Sequence, residues 1–168
     1  MEAIVNKVAE SGLITLNLED FLPKEEACGM FDLKQFLFME LILKEKDFRQ
    51  SLKDFHWQTF ENKYVAVYCS ADAIIPLWAY MLSAVYLQQV AKEIFYGTVE
   101  SMKEQILLNE IEKIDTENFV DKRIVIKGCG DATIPASAYF SITKKLKPFV
   151  KSLMYGEPCS TVPVYKKK

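Results

Sequence analysis

The sequence predicts an α/β fold: a three-layer, doubly wound, mostly parallel sheet built from two duplicated βαβ units, residues 63–97 and 122–156, behind an N-terminal strand–helix extension. Three observations predict it. First, residues 63–97 align without a gap on residues 122–156, and 11 of the 35 pairs are identical, where unrelated segments share roughly two. Second, the identities cluster: Asp72-Ala73 with Asp131-Ala132, Ile75-Pro76 with Ile134-Pro135, Ala79-Tyr80 with Ala138-Tyr139, and Tyr96-Gly97 with Tyr155-Gly156. Third, strand-like and helix-like patterns alternate through the centre of the chain as βαβαβαβ, the order of a parallel sheet covered by helices. Right-handed crossovers then restrict the topology to a few doubly wound forms.

The elements follow in order. Residues 13–18 (LITLNL) alternate like a strand, and residues 32–43 and 47–55 read as helices, the first capped by Asp32 and strongly apolar. Residues 64–68 (YVAVY) have the composition of a buried strand. The turn Cys69-Ser70-Ala71-Asp72 follows, with Asp72 expected as N-cap and Pro76 in the first helical turn. That helix runs to about Lys92, and Ile94-Phe95-Tyr96 forms a strand stopped by Gly97. Val99, Met102, Ile106, Leu107, Ile111 and Ile114 stand at helical spacing, with Glu100 and Glu104 suited to a helix start. The second copy repeats the pattern: a strand over 123–127, a turn over 128–135, a helix to about Val150 and a strand over 153–155. A single domain over 1–168 is expected, with an extension over 1–62, a linking helix within 98–121 and a tail over 157–168.

Composition bounds the class. Half of the 168 residues are apolar, a quarter are charged and the net charge is −2, which gives no electrostatic reason to expect nucleic acid. Lys166-Lys167-Lys168 reads as a solvated tail. The opening MEAIVNKVAESG has acidic residues and no long apolar core, so no secretory leader is expected. Residues 73–87 are too short an apolar run to span a bilayer. Four cysteines in such a chain are expected as reduced thiols, which places the protein in the cytoplasm.

The two helices of the repeat differ on one face. Trp78, Leu82, Val85 and Tyr86 of the first correspond to Ser137, Ser141, Lys144 and Lys145 of the second. The first face is therefore expected to be covered, by the 32–43 segment or by a second subunit in a homodimer.

Function is expected where the parallel strands end, because ligands bind in the crevice at that edge. Four turns are expected there: 69–72, 97–98, 128–131 and 156–161. They gather Cys69, Cys129, Cys159, Asp72, Asp131 and Glu157. Thiolates and carboxylates suit zinc or iron, so Cys69, Cys129 and Cys159, with Asp72 or Asp131, form a candidate metal set, although no CxxC spacing is present. A plainer reading makes the aspartates helix caps and the cysteines small core residues. A third makes Cys129, between two glycines, a catalytic thiol activated at a helix N-terminus, with Asp131 orienting a partner or water. His56 falls before the first repeat strand, on the opposite edge, so a Cys/His mechanism has no well-placed base. The glycines at 128 and 130 make neither GxGxxG nor a P-loop.

The strings FDLKQFLF…LILKEKDFR, YCSADAIIPLWAYML, IKGCGDATIPASAY and SLMYGEPCSTVPVYKK resemble an uncharacterised bacterial family, domain of unknown function 2480, found mainly in Bacteroidetes. The resemblance spans nearly the whole chain and implies a cytosolic bacterial protein without an established activity. It also implies a neighbourhood of iron–sulfur assembly genes, and so iron–sulfur assembly proteins as partners. Its motif positions here are Cys69, Asp72, Cys129, Asp131, Glu157 and Cys159. The leading expectation is a cysteine- and carboxylate-lined site for a metal or small ligand. The alternatives are a Cys129-dependent enzyme and an interaction protein using the face around Trp78.

Overall fold

The structure, a computed structural model, describes residues 6–8, 12–127, 130–157 and 160–168. In chain order its elements are β1 (Asn6–Val8), β2 (Leu13–Asn17), β3 (Cys28–Asp32), α1 (Glu45–Asp54), β4 (Tyr64–Tyr68), α2 (Leu77–Leu87), β5 (Glu93–Tyr96), α3 (Val99–Lys113), β6 (Arg123–Lys127), α4 (Ala136–Leu146), β7 (Ser152–Glu157) and β8 (Ser160–Lys166). The class is α/β, as the repeat predicts. Contacts divide the chain into two compact units: a continuous one, Pro23–Lys103, and a split one made of Met1–Leu22 and Glu104–Lys168.

In the continuous unit β3, β4 and β5 form a parallel sheet with β4 central. Val65, Ala66 and Val67 of β4 are all buried, which is why this strand reads as an unbroken apolar run rather than an alternation. Phe31 of β3 lies at the heart of an aromatic cluster, its ring 5.3 Å from Trp57 and 5.4 Å from Phe36. Phe48 and Leu52 on one face of α1 close the core. In the split unit the sheet order is β1-β2-β6-β7-β8, with β2, β6 and β7 parallel and the outer two strands antiparallel. Its separate core gathers Leu16, Leu18, Leu107, Ile124, Ile142 and Leu146.

The two repeat strands are thus central in two different sheets, where the repeat alone suggests one continuous sheet. The reason is hydrogen bonding. Both edges of β4 are taken by β3 and β5, and both edges of β6 by β2 and β7, so neither has an edge left for the other. The N-terminal extension is shared out between the copies. Asn17 ends β2 opposite Lys127, and Asp32 ends β3 opposite Tyr68. Each then caps a short 3-10 turn, Leu18–Phe21 and Leu33–Phe36, whose leading leucine is buried.

Several expectations are corrected. Residues 32–43 are not a long helix. After Leu33–Phe36, Met39 and Glu40 take positive φ (52° and 59°) and turn the chain back, bridging Phe38 to Ile42. Asp72 and Asp131 do not cap α2 and α4, which begin after Pro76 and Pro135 in the N-cap positions, with no side-chain cap. A residue before proline is held out of the helical region, so Ile75 and Ile134 delay the start. The segment 156–161 is not a strand-to-helix turn. Gly156 pairs with Thr161 and Glu157 with Ser160 in a hairpin, and the expected tail becomes β8. Pro163 is accommodated there because β8 is an edge strand. Beyond β8, Lys167 forms an ion pair with Asp121 at 3.0 Å.

The apolar face of α2 is covered within its own unit. Trp78 lies 6.0 Å from the Phe48 ring, Tyr86 stacks on Trp57 at 5.2 Å, and Leu82 packs against the same core. Val85 departs from the expectation: it is 57% exposed, in line with Leu77 and Met81 at 79% and 70%.

Candidate functional site

At the carboxyl edge of the continuous unit, three strand ends and the start of one helix bring polar side chains together. Asp32, at the end of β3, accepts hydrogen bonds from the amide of Lys34 (2.9 Å), the amide of Ser70 (3.0 Å) and the hydroxyl of Ser70 (2.5 Å). One carboxylate therefore caps the turn after its own strand and ties down the turn after β4. Partial burial raises its pKa, but the bonds from Ser70 and Lys34 and the Lys34 charge outweigh this, and the net shift is downward. Asp32 is held as the anion.

Cys69, half-buried, follows β4 and places its Sγ 3.7 Å from the carbonyl of Ala71. Tyr96 ends β5 and is 71% exposed. Tyr80, in the first turns of α2, meets it edge-on with ring centroids 5.2 Å apart. Burial pushes the Tyr80 hydroxyl pKa up, and Tyr96, Cys69 and Asp32 push it further in the same direction. The Tyr80 phenol is thus a neutral hydrogen-bonding group rather than a base. Asp72 stands exposed in the adjoining turn and makes none of these contacts.

The split unit has the same strand–helix–strand order in β6, α4 and β7, with different chemistry. Tyr139 and Tyr155 meet edge-on at 5.5 Å, as their counterparts do. Gly156 has φ 119° and Gly97 has φ 121°, a region closed to other residues, so each strand leaves its tyrosine through the same backbone bend. Asn17 caps its 3-10 turn, and Glu19 accepts a hydrogen bond from the Ala132 amide at 3.1 Å. Gly130 leaves the room this needs, because a Cβ there would lie 2.2 Å from the Glu19 carboxylate oxygens. Lys127 and Glu157 form an ion pair at 3.4 Å.

Of the residues singled out by sequence, Cys69 lies in this edge of the continuous unit, while Asp131 is exposed in the corresponding turn of the split unit. Cys129 and Cys159 lie outside the described residues. Among the described residues no group of three or more His, Cys, Asp or Glu is placed to hold a metal ion. Asp32 is expected from the sequence only as a cap, Ser70 only as part of the turn 69–72, and Tyr80, Tyr96 and Glu19 not as site residues. For the tyrosines a signal was present, since both are identical between the copies. For the Asp32–Ser70 and Glu19–Ala132 contacts none was, because the partners are distant in sequence.

Residues 2–167 match the family of proteins of unknown function DUF2480. The chain belongs to this family. No curated protein and no solved structure matches it. Among the described residues of this DUF2480 protein, no helix is long and apolar enough to cross a membrane.

Proposed function

We propose that this DUF2480 protein is a binding protein whose site is the carboxyl edge of the β3–β4–β5 sheet, taking a metal ion or a small cationic ligand. The observation that supports this reading is that Asp32, tied to Ser70, the adjoining Cys69 and the edge-on pair of Tyr80 and Tyr96 all stand at one sheet edge, where parallel α/β proteins bind their ligands. In this reading Asp32 supplies the charge, Cys69 a soft ligand and the two phenols orientation. A thiolate beside a carboxylate suits zinc or iron. The cellular setting that goes with it is a reducing bacterial cytoplasm and a role accessory to iron–sulfur assembly.

The test is metal analysis of tag-free protein purified without chelator, followed by alkylation of each cysteine with and without added zinc or iron. Protection of Cys69 that is lost in Asp32→Asn supports the reading. Alkylation of Cys69 indifferent to both metals, in protein that also shows no thermal shift with small cations, sinks it. The same experiment reads Cys129 and Cys159 separately: one fast thiol indifferent to metal points to the enzymatic alternative.

A further inference from the structure

The split unit carries a groove of about 580 Å³ between α3 and α4, walled by Leu108 of α3 and by Ala136, Ser137, Phe140, Ser141 and Lys144 of α4. None of these residues belongs to the site above. The other copy shows what such a groove holds. There α1 leads through the 3-10 turn Trp57–Phe60 into β4, as α3 leads through Thr116–Phe119 into β6. Hence α1 and α2 correspond to α3 and α4. Where α4 has Ser137 and Ser141, α2 has Trp78 and Leu82. The Trp78 indole sits between the helices, 6.0 Å from the Phe48 ring and 5.6 Å from the Arg49 guanidinium. One copy fills its cleft with its own aromatic ring; the other has a serine at that position, bonded to Glu104 of α3, and a groove beside it.

We propose that the α3–α4 groove binds a small planar aromatic acid, whose ring takes the place that the Trp78 indole takes in the other copy. Three features of the groove fit this class. Phe140 is 75% exposed on its wall, and a ring laid against it removes apolar surface from water on both partners. Lys144, at the groove's end, has no ion pair among the described residues and is available to a carboxylate. The acid on the opposite wall, Glu112, forms an ion pair with Lys145 at 3.8 Å. Ser137 donates to Glu104 of α3, a hydrogen bond that joins the two helices beside the groove.

The experiment is calorimetric titration of the full chain with two probes, indole-3-acetate and neutral indole. Saturable binding of indole-3-acetate is expected, weakened at least roughly tenfold by Ser137→Trp, which refills the groove as Trp78 does. Lys144→Ala is expected to weaken indole-3-acetate by roughly threefold, the scale of an exposed ion pair, and to leave indole unchanged. Ser141→Leu, copied from Leu82, gives a second, milder obstruction if Ser137→Trp does not fold. No saturable binding of either probe up to about 10 mM overturns the proposal. So does undiminished binding to a folded Ser137→Trp or Ser141→Leu protein. Equal loss of both probes in Lys144→Ala overturns the assignment of the acid.

Discussion

Asp32 is the residue whose removal tests the construction of the carboxyl edge most directly. Its carboxylate accepts three hydrogen bonds, from two amides and one hydroxyl, and joins the ends of β3 and β4. Asp32→Ala deletes all three. Each is worth about 0.5–1.5 kcal/mol net, toward the upper end for a charged acceptor, but the group is partly exposed and water replaces some of what is lost. A total of about 2 kcal/mol follows, of which the 3-10 cap contributes about 1 kcal/mol. For a chain of this length the melting temperature falls by about 4–8 °C. Asp32→Asn keeps one acceptor and falls about half as far.

The stabilisation by Asp32 depends on pH in one direction. The folded pKa of Asp32 lies below its ordinary value of 3.8, because hydrogen bonds to the anion outweigh its burial. A depressed pKa contributes stability that is fully present above the unfolded value and is lost as pH falls through the folded one. The gap between wild type and Asp32→Asn is therefore constant near neutrality and narrows below about pH 3.8. Thermal melts followed by circular dichroism across that range measure it. Melting temperatures equal within a degree at neutral pH, or a gap that widens in acid, would refute the view that Asp32 clamps the edge.

Three further outcomes follow from single contacts. Gly97→Ala and Gly156→Ala both place a side chain at φ near +120° and cost about 1–3 kcal/mol each. Gly156→Ala is the worse, since its Cβ would meet the Ser160 backbone oxygen at 2.6 Å, whereas at Gly97 the obstacle is the movable Ser101 hydroxyl; urea denaturation giving the reverse order contradicts this. Trp57→Phe strands the Leu52 carbonyl, which now receives the buried indole N–H at 2.8 Å, and costs about 1–3 kcal/mol, while Trp57→Ala costs about 3–5 kcal/mol in the same assay. A homodimer through α2 would use its exposed Leu77, Met81 and Val85, so Met81→Lys should dissociate it in sedimentation without lowering stability; Leu82→Lys should instead destabilise the chain by placing a charge in its core. Dissociation by Leu82→Lys in a fully stable protein would return the interface to the Trp78 face.

The repeat alone located the strands YVAVY and RIVIK, the helices after them and the tyrosine–glycine bends, because each depends on composition and spacing within a few residues. Burial on both faces makes a central parallel strand uniformly apolar, and that reads directly from five letters. Pairing does not read in this way. Nothing in LITLN states that it lies beside RIVIK, or in CGMFD that it lies beside YVAVY, since a strand's composition does not name its hydrogen-bonding neighbour. That choice, made by the assembled core, divided one expected sheet into two units and carried Asp32 to Ser70 and Glu19 to Ala132. The prolines at 76 and 135 were visible, yet their effect on where the helices begin outweighed the expected aspartate caps. The contrast between Trp78 and Ser137 was visible too, as an exchange of apolar for polar. Only the packing of α4 against α3 turned that exchange into a groove, because a missing side chain becomes a space only where a second helix supplies the other wall.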